Sequence, residues 1–153
     1  MILVIQRVQK AHVEVASQIV GQINCGMLIF LSVGHTDTTQ DADFLVNKIL
    51  QLRIFEDENG KMNLSAVETS AEFLVVSQFT LHGDCSKGRR PSFDQAADPA
   101  QGEELYDYFV RKLRESDVKV ETGQFRAMMN VSLVNDGPVT FILNSRQTES
   151  SIS

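Results

Sequence analysis

The chain has 153 residues, of which 42% are hydrophobic and 22% are charged, and its formal net charge is -6. This length fits one domain with a sizeable core, and the composition excludes a disordered or fibrous chain. The acidic balance argues against a broad phosphate-binding surface, because non-specific nucleic-acid binding depends on clustered Lys and Arg. Any nucleic-acid partner must therefore be met through a local basic patch.

The cysteines and the first residues indicate the compartment. Cys25 and Cys85 form no C-x-x-C pair and have no His cluster nearby, so the sequence predicts two reduced thiols and no metal site. The apolar residues 1–5 are interrupted at once by Gln6 and Arg7, and no later stretch is long enough to span a bilayer. We therefore expect a cytoplasmic protein with no membrane partner, no metal and no cofactor.

In the first half of the chain, the pattern predicts strands, a helix and a hairpin. Residues 2–34 alternate short apolar runs with single polar residues, which is typical of several strands joined by tight turns. Thr38 and Asp41 resemble a helix-capping pair. Asn59 and Gly60 predict a two-residue hairpin turn in which both residues have positive φ. The apolar residues that recur at helical spacing after the cap are Leu45, Ile49 and Leu52.

The second half predicts a buried strand, a second helix and further strands. Residues 73–76 are apolar on both faces, as in a strand that is buried on both sides. Asp98 is placed to cap a helix that begins with Pro99 and buries Leu105, Phe109 and Leu113. Strand-like residues run from 118 to 144 and are broken near 135–138, and the polar tail 147–153 is expected to fray. The fold class is thus mixed α/β: one strand-rich domain with two main helices.

The first segment that carries chemistry is Ser77-Gln78-Phe79-Thr80, at the end of the buried strand. Strand alternation places Gln78 and Thr80 on one face and Ser77 and Phe79 on the other. Functional groups are often held on loops at the ends of such strands, although polar residues there also commonly satisfy backbone groups. The loop that follows carries the cluster Lys87, Arg89 and Arg90, a candidate phosphate contact on an acidic protein, with a solvated loop as the alternative.

The second segment is the Gly137-Pro138 pair within residues 135–140. An ordinary trans peptide bond is the default for an X-Pro pair. The pair nevertheless offers carbonyl oxygens without a bulky side chain, and Pro138 contributes no competing N–H donor. A cis bond would turn the neighbouring carbonyls to the same side and make a small rigid wall of acceptors.

Together these segments resemble the paired signatures of the D-aminoacyl-tRNA deacylase family. The Ser-Gln-x-Thr-Leu…Lys-Gly-x-Arg-Pro-Ser-Phe pattern matches residues 77–93, and the Asn-x-Gly-Pro-Val-Thr pattern matches residues 135–140. Arg7-Val8 and Thr122-Gly123-x-Phe125 are similar to that family as well. The likeness covers roughly residues 1–145, so we interpret these as the deacylase domain, with residues 146–153 as a polar tail.

The resemblance implies a homodimer in which the Gly137-Pro138 element, with a cis bond, enters the partner's active site. It also implies that Ser77, Gln78, Phe79 and Thr80 line the pocket for the 3′-terminal adenosine and aminoacyl group of D-aminoacyl-tRNA. Carbonyls of Gly137 and Pro138 would exclude an L-side chain, whereas a D-side chain points outward and achiral glycine is not rejected. Arg7 is expected to hold the Gly-Pro element, or else to form an ordinary ion pair.

Hydrolysis needs an activated water and donors for the developing oxyanion, for which the N–H groups of Phe79 and Thr80 are candidates. Thr80 as a covalent nucleophile remains open, as does help from the 2′-hydroxyl of the tRNA. His82 is expected to face solvent rather than to take part. One departure is Arg126, where the family has Gly: if that position requires positive φ, Arg is unfavourable there, and the alternative is that Arg126 adds a positive charge near the tRNA path.

Two other functions stay open. The fold alone is compatible with a non-catalytic module that binds nucleic acid or assists editing. A related deacylase with a trans Gly-Pro bond would accept some L-substrates.

Overall fold

The computed structural model of the chain describes residues 1–146. The tail 147–153, for which fraying was predicted, lies outside these residues. Within residues 1–146 no helix combines the length and the apolar character needed to cross a membrane. The elements in chain order are β1 (Ile2–Val15), β2 (Gln18–Ile23), β3 (Gly26–Ser32), α1 (Thr39–Gln51), β4 (Phe55–Glu56), β5 (Met62–Leu64), α2 (Ala66–Thr69), β6 (Glu72–Ser77), a 3-10 turn (Phe79–His82), α3 (Pro99–Arg114), β7 (Val120–Thr122) and β8 (Asn130–Asn144).

The long strand β1 organises the main sheet. One of its edges pairs with antiparallel β8, from Ile2 opposite Asn144 to Glu14 opposite Asn130. Its other edge pairs first with β3 and then with β2, both antiparallel. The sheet continues through two parallel pairings, β3 with β6 and β6 with β7. Across the curl of the sheet, a Cβ on Gly21 of β2 would lie 2.2 Å from the Thr122 carbonyl oxygen of β7, so the two ends approach as in a barrel.

The core has two parts, one on each face of the sheet. Helices α1 and α3 cover one face and bury side chains such as Leu45 and Phe109. The inner side of the curl buries a smaller cluster that includes Val13 and Leu28. Because β3 and β6 are covered on both faces, their sequences are almost continuously apolar. The prediction of a buried strand over residues 73–76 is confirmed, since each of these side chains is at most 1% exposed.

Both predicted helix starts are confirmed. The Thr38 N–H donates to the Asp41 carboxylate over 2.8 Å, and together the two residues form a capping box at the start of α1. The Asp98 carboxylate accepts from the Gln101 N–H over 2.8 Å and caps α3, which begins with Pro99. The fold class is therefore as predicted, mixed α/β and strand-rich with two main helices, to which the structure adds the short helix α2.

Two local predictions are wrong. Strands β4 and β5 do form a hairpin, but its loop is longer than two residues: the Asp57 N–H pairs with the Lys61 carbonyl, and Asn59 does not have positive φ whereas Gly60 does, at 73°. The Asp57 carboxylate accepts from the N–H groups of Asn59 and Lys61 and thereby stabilises the longer loop. The strand-like run also does not break at residues 135–138, since β8 continues through them with a shift in register.

Candidate functional site

The segment Ser77–Thr80 forms a turn rather than an extended strand. Strand β6 ends at Ser77, and Phe79–His82 is a 3-10 turn, so the predicted alternation of faces through Thr80 is wrong. The turn is fixed by two hydrogen bonds to the neighbouring strand β3. The Gln78 N–H donates to the Leu31 carbonyl over 2.8 Å, and the Ser32 hydroxyl donates to the Phe79 carbonyl over 3.2 Å.

This turn presents two backbone donors. Among residues 1–146 the N–H groups of Phe79 and Thr80 have no hydrogen-bond acceptor, as expected for the first positions of a helical turn. The side chains of both residues are exposed, with Phe79 56% exposed and in edge contact with Phe93 at 5.1 Å between ring centroids. The Gln78 amide donates to the Thr80 hydroxyl, which makes no hydrogen bond to a His or Lys in the described part of the chain. The two N–H groups can polarise a substrate carbonyl. The Thr80 hydroxyl has no hydrogen-bonded general base among residues 1–146.

His82 faces inward, contrary to expectation. Its side chain is partly buried, and its Nδ1 lies 2.5 Å from the Ser32 hydroxyl oxygen. Burial lowers the pKa of His82 below its ordinary value, helped by the charge of the N-terminal amino group and opposed by Asp37. Burial therefore favours the neutral imidazole of His82.

The basic residues lie on a closed loop. Asp84 and Ser92 pair through both backbone hydrogen bonds, at 2.7 and 2.9 Å, and so join the two ends of the loop beyond the turn. Lys87, Arg89 and Arg90 are all exposed, and no carboxylate among residues 1–146 lies within ion-pair distance of them. Their charges are available to an anionic partner.

The Gly137-Pro138 pair lies on a bulge of β8. Thr140 pairs with Gln6 and Asn135 with Val8, so four residues of β8 bulge outward opposite one residue of β1. The peptide bond between Gly137 and Pro138 is cis, as the resemblance implied, and both residues are exposed. Asn135 holds the base of the bulge, because its side chain accepts from the Val139 N–H over 3.0 Å and donates to the Thr140 hydroxyl over 3.1 Å.

Arg7 supports this bulge from beneath. It is only 4% exposed, and its Nε donates to the Asp136 carbonyl over 3.3 Å and lies 3.2 Å from the Asp136 carboxylate. Its Nη1 donates to the Ile54 carbonyl over 2.7 Å, and Nη2 lies 3.6 Å from the Glu56 carboxylate. Arg7 therefore links the β4–β5 hairpin to the bulge, and it contacts both a carbonyl and a carboxylate there.

Within one chain the two segments lie far apart. Strands β1 and β3 separate β8 from β6, which amounts to about 14 Å at the usual strand spacing. Arg7 is in register with Met27 and Met27 with Phe73, so Ser77 lies four residues, or about 13 Å, farther along the sheet. A single chain does not bring Gly137 and Pro138 to Ser77–Thr80.

Arg126 occupies the position at which Arg was flagged as unfavourable. The Ala127 N–H donates to the Gln124 carbonyl over 3.2 Å, which closes a turn with Arg126 at its third position. The φ of Arg126 is 64°, so the turn places an Arg where Gly or Asn is preferred.

Sequence reasoning missed Ser32, which is fully buried and anchors the turn after β6. Its one available signal was a polar residue at the end of an otherwise apolar strand.

No three His, Cys, Asp or Glu side chains in residues 1–146 come together as metal ligands.

The arrangement is that of a mixed α/β enzyme fold with a candidate oxyanion site at a strand end. The sequence profile of the family described as D-Tyr-tRNA(Tyr) deacylase matches residues 4–144. A D-aminoacyl-tRNA deacylase from Thermotoga petrophila is 57% identical over 142 residues, which cover 93% of this chain and 95% of that one. Another, from Thermosipho melanesiensis, is 54% identical over 145 residues, covering 94% and 97%.

Solved structures agree with this likeness. One named c-Myc DNA Unwinding Element Binding Protein has a TM-score of 0.90 and 39% identity, covering 94% of this chain and 98% of that chain. A second, described as a probable eukaryotic D-amino acid tRNA deacylase, has a TM-score of 0.80 at 20% identity, covering 93% and 97%, and shows the shared fold. The chain belongs to the D-Tyr-tRNA(Tyr) deacylase family. The predicted family and the predicted enzyme class are thereby confirmed.

Proposed function

We propose that this chain hydrolyses the ester bond of D-aminoacyl-tRNA, releasing the free amino acid and tRNA. The observation that carries the proposal is the pair of outward N–H groups of Phe79 and Thr80, on a turn anchored to β3. Family membership supports the same reaction, because relatives more than 50% identical over nearly their whole length are named D-aminoacyl-tRNA deacylases.

The chemistry follows from what the turn offers. Water attacks the ester carbonyl carbon, and negative charge develops on the carbonyl oxygen, where the two N–H groups donate to it. Such donors are each worth about 3 kcal/mol of barrier in comparable enzymes. The intermediate then collapses: the carbonyl re-forms, the bond to the ribose oxygen breaks, and that oxygen takes up the proton that the attacking water has lost. The 2′-hydroxyl of the terminal ribose is the proposed helper, since the Thr80 hydroxyl contacts no base in residues 1–146.

The partner subunit's bulge is proposed to discriminate between D- and L-aminoacyl groups. The separation of the two segments within one chain supports a dimer in which a second copy supplies Gly137 and Pro138 to the turn. Strand β8 is suited to meet that copy: in residues 1–146 only one of its edges is paired, and Phe141 and Ile142 are 38% and 68% exposed. Carbonyl oxygens of the bulge would exclude an L-side chain by overlap and would leave D-aminoacyl and glycyl groups to react.

The tRNA backbone is proposed to lie along Lys87, Arg89 and Arg90. These side chains are exposed on the loop that directly follows the catalytic turn. Phosphate contacts of this kind position a nucleic acid without reading its bases.

The test is deacylation of D-Tyr-tRNA and L-Tyr-tRNA by the purified full chain. We expect release of D-tyrosine with L-Tyr-tRNA spared, and equal rates on both would refute the chiral mechanism. A Thr80→Ala variant is expected to retain most activity because the N–H remains, whereas loss of activity in that variant would point to a covalent role for the hydroxyl. Sedimentation and concentration dependence of the rate test the proposed dimer.

The second candidate is a nucleic-acid-binding module without catalysis. It is favoured by the solved structure named as a DNA unwinding element binding protein, which is 39% identical to this chain. Retained binding of tRNA or DNA with no release from either aminoacyl-tRNA would support it against the deacylase.

A further inference from the structure

The Ser32 hydroxyl connects His82 to the backbone of the candidate oxyanion site. Its oxygen lies 2.5 Å from His82 Nδ1 and 3.2 Å from the Phe79 carbonyl oxygen, and Ser32 itself is fully buried. Neither Ser32 nor His82 has a role in the reaction proposed above. His82 is the last residue of the turn and Ser32 contacts the first, which distinguishes them from an ordinary polar pair.

The hydrogen count fixes the direction of these bonds. A hydroxyl carries one hydrogen, and a carbonyl oxygen can only accept, so both contacts of Ser32 are hydrogen bonds only when Ser32 donates to Phe79. The contact with His82 is then a hydrogen bond only if Nδ1 carries the imidazole proton. Burial lowers the pKa of His82, which keeps the ring neutral with that one proton. The order is His82 Nδ1–H to Ser32 oxygen, and Ser32 O–H to the Phe79 carbonyl.

The carbonyl that receives this bond is joined to an oxyanion donor. The Phe79 C=O and the Thr80 N–H belong to one planar peptide group and point in opposite directions. Drawing the carbonyl inward toward Ser32 therefore aims the Thr80 N–H outward, to the side where no residue of the described chain accepts it. A carbonyl that accepts a hydrogen bond also polarises its own N–H, which strengthens the N–H as a donor.

We propose that Ser32 and His82 are positioning residues that orient and polarise the Thr80 N–H for the oxyanion. This inference rests on the proposed deacylase function. The effect is expected in turnover rather than in substrate affinity, because the oxyanion develops in the transition state and the intermediate and is absent from the bound substrate.

The experiment measures kcat and KM for D-Tyr-tRNA in full-length variants. Ser32→Ala and His82→Phe are each expected to lower kcat about tenfold with KM within about twofold, less than the loss of a whole oxyanion donor, which is about 10²–10³. The double variant should be no slower than Ser32→Ala alone, since the two substitutions interrupt the same series of hydrogen bonds. His82→Asn, which restores an N–H donor near the Nδ1 position, should recover most of the rate.

A matched control separates positioning from stability. The buried Tyr106 hydroxyl donates to the Val75 carbonyl of β6 over 2.7 Å, so Tyr106→Phe also removes a hydrogen bond to this strand without reaching the turn. We expect that variant to lose stability and to keep its kcat. An unchanged kcat in Ser32→Ala, or an equal loss in Tyr106→Phe, would overturn the proposal.

Amide NMR tests the chain of bonds independently of activity. The Thr80 amide proton should move upfield in Ser32→Ala and His82→Phe and stay in place in Tyr106→Phe, and the imidazole nitrogen shifts of His82 should report a proton on Nδ1. Unmoved Thr80 resonances would overturn the inference even in an active enzyme. An inactive wild-type protein that shows these shifts would instead refute the deacylase function and leave the bonding arrangement supported.

Discussion

Replacing Arg126 with Gly should stabilise the protein. Arg126 has a φ of 64° in the turn that the Ala127 N–H closes onto the Gln124 carbonyl. An L-residue in this conformation costs about 1–2 kcal/mol, because its Cβ approaches the following carbonyl oxygen. Gly removes that cost but brings about 0.5–1 kcal/mol of extra unfolded-state entropy. The net expectation for Arg126→Gly is about 0.5–1 kcal/mol of added stability.

Urea unfolding and calorimetry measure this gain. For a chain of this length, about 0.5–1 kcal/mol corresponds to a rise in Tm of about 1–4 °C. Arg126→Ala is the matched control, since it removes the same charge and keeps the unfavourable φ, and it should give no such rise. Equal stabilisation by Ala and Gly would show that the charge, not the backbone, was unfavourable. A lower stability in Arg126→Gly would refute the reasoning.

Three further predictions follow from the contacts of Arg7, Gly137 and Asp41. Arg7→Ala should lower the free energy of unfolding by about 2–3 kcal/mol, because it leaves buried carbonyl oxygens unpaired, and Arg7→Lys should recover only part of this in urea titrations. Gly137→Ala places a Cβ 2.7 Å from Val139 Cγ2 at a φ of 130°. This substitution should lower the free energy of unfolding by about 1–3 kcal/mol and reduce the preference for D-Tyr-tRNA over L-Tyr-tRNA in paired rate assays. Asp41 governs an acid-sensitive contribution: burial opposes its ionisation, but hydrogen bonds from Ser145, Thr38 and Arg146 outweigh burial and lower its pKa to about 2.

The sign of the Asp41 effect is determined by that lowered pKa. Its stabilisation is present above the ordinary value of 3.8 and is lost as pH falls from there through about 2. After solvent screening we expect a loss of about 1 kcal/mol between pH 5 and pH 2. Asp41→Asn should show a flatter decline of stability in acid, and an unchanged decline would contradict this assignment.

For Gly137→Ala, an unchanged ratio of D to L rates would contradict the proposed role of the bulge.

Local signals predicted much of the fold. The capping pair of Thr38 and Asp41, and Asp98 followed by Pro99, satisfy helix-end groups within one turn, so their effect can be read from neighbouring residues alone. The doubly buried strand at residues 73–76 was equally clear from its apolar run. By contrast, the Asn59-Gly60 loop depends on how the Asp57 side chain competes for backbone donors, which a dipeptide signal does not contain.

The site was harder to predict because its geometry comes from residues distant in sequence. The turn at Phe79 is held by Leu31 and Ser32, nearly fifty positions earlier, so strand periodicity gave the wrong faces for Thr80. The inward rotation of His82 depends on the same serine. The register shift that lets β8 bulge depends on its pairing with β1, which lies at the other end of the sequence.

The distance between the bulge and the turn within one chain has a consequence for how substitutions in the two segments combine. Substitutions more than about 10 Å apart usually have additive effects on stability. A chain can therefore accumulate changes at the bulge without disturbing the fold of the turn that is bonded to β3, and the reverse also holds. Natural variation or protein engineering can thus change either segment with little effect on the folding of the other, whereas their effects on the reaction are expected to couple in the proposed dimer, where both face one substrate.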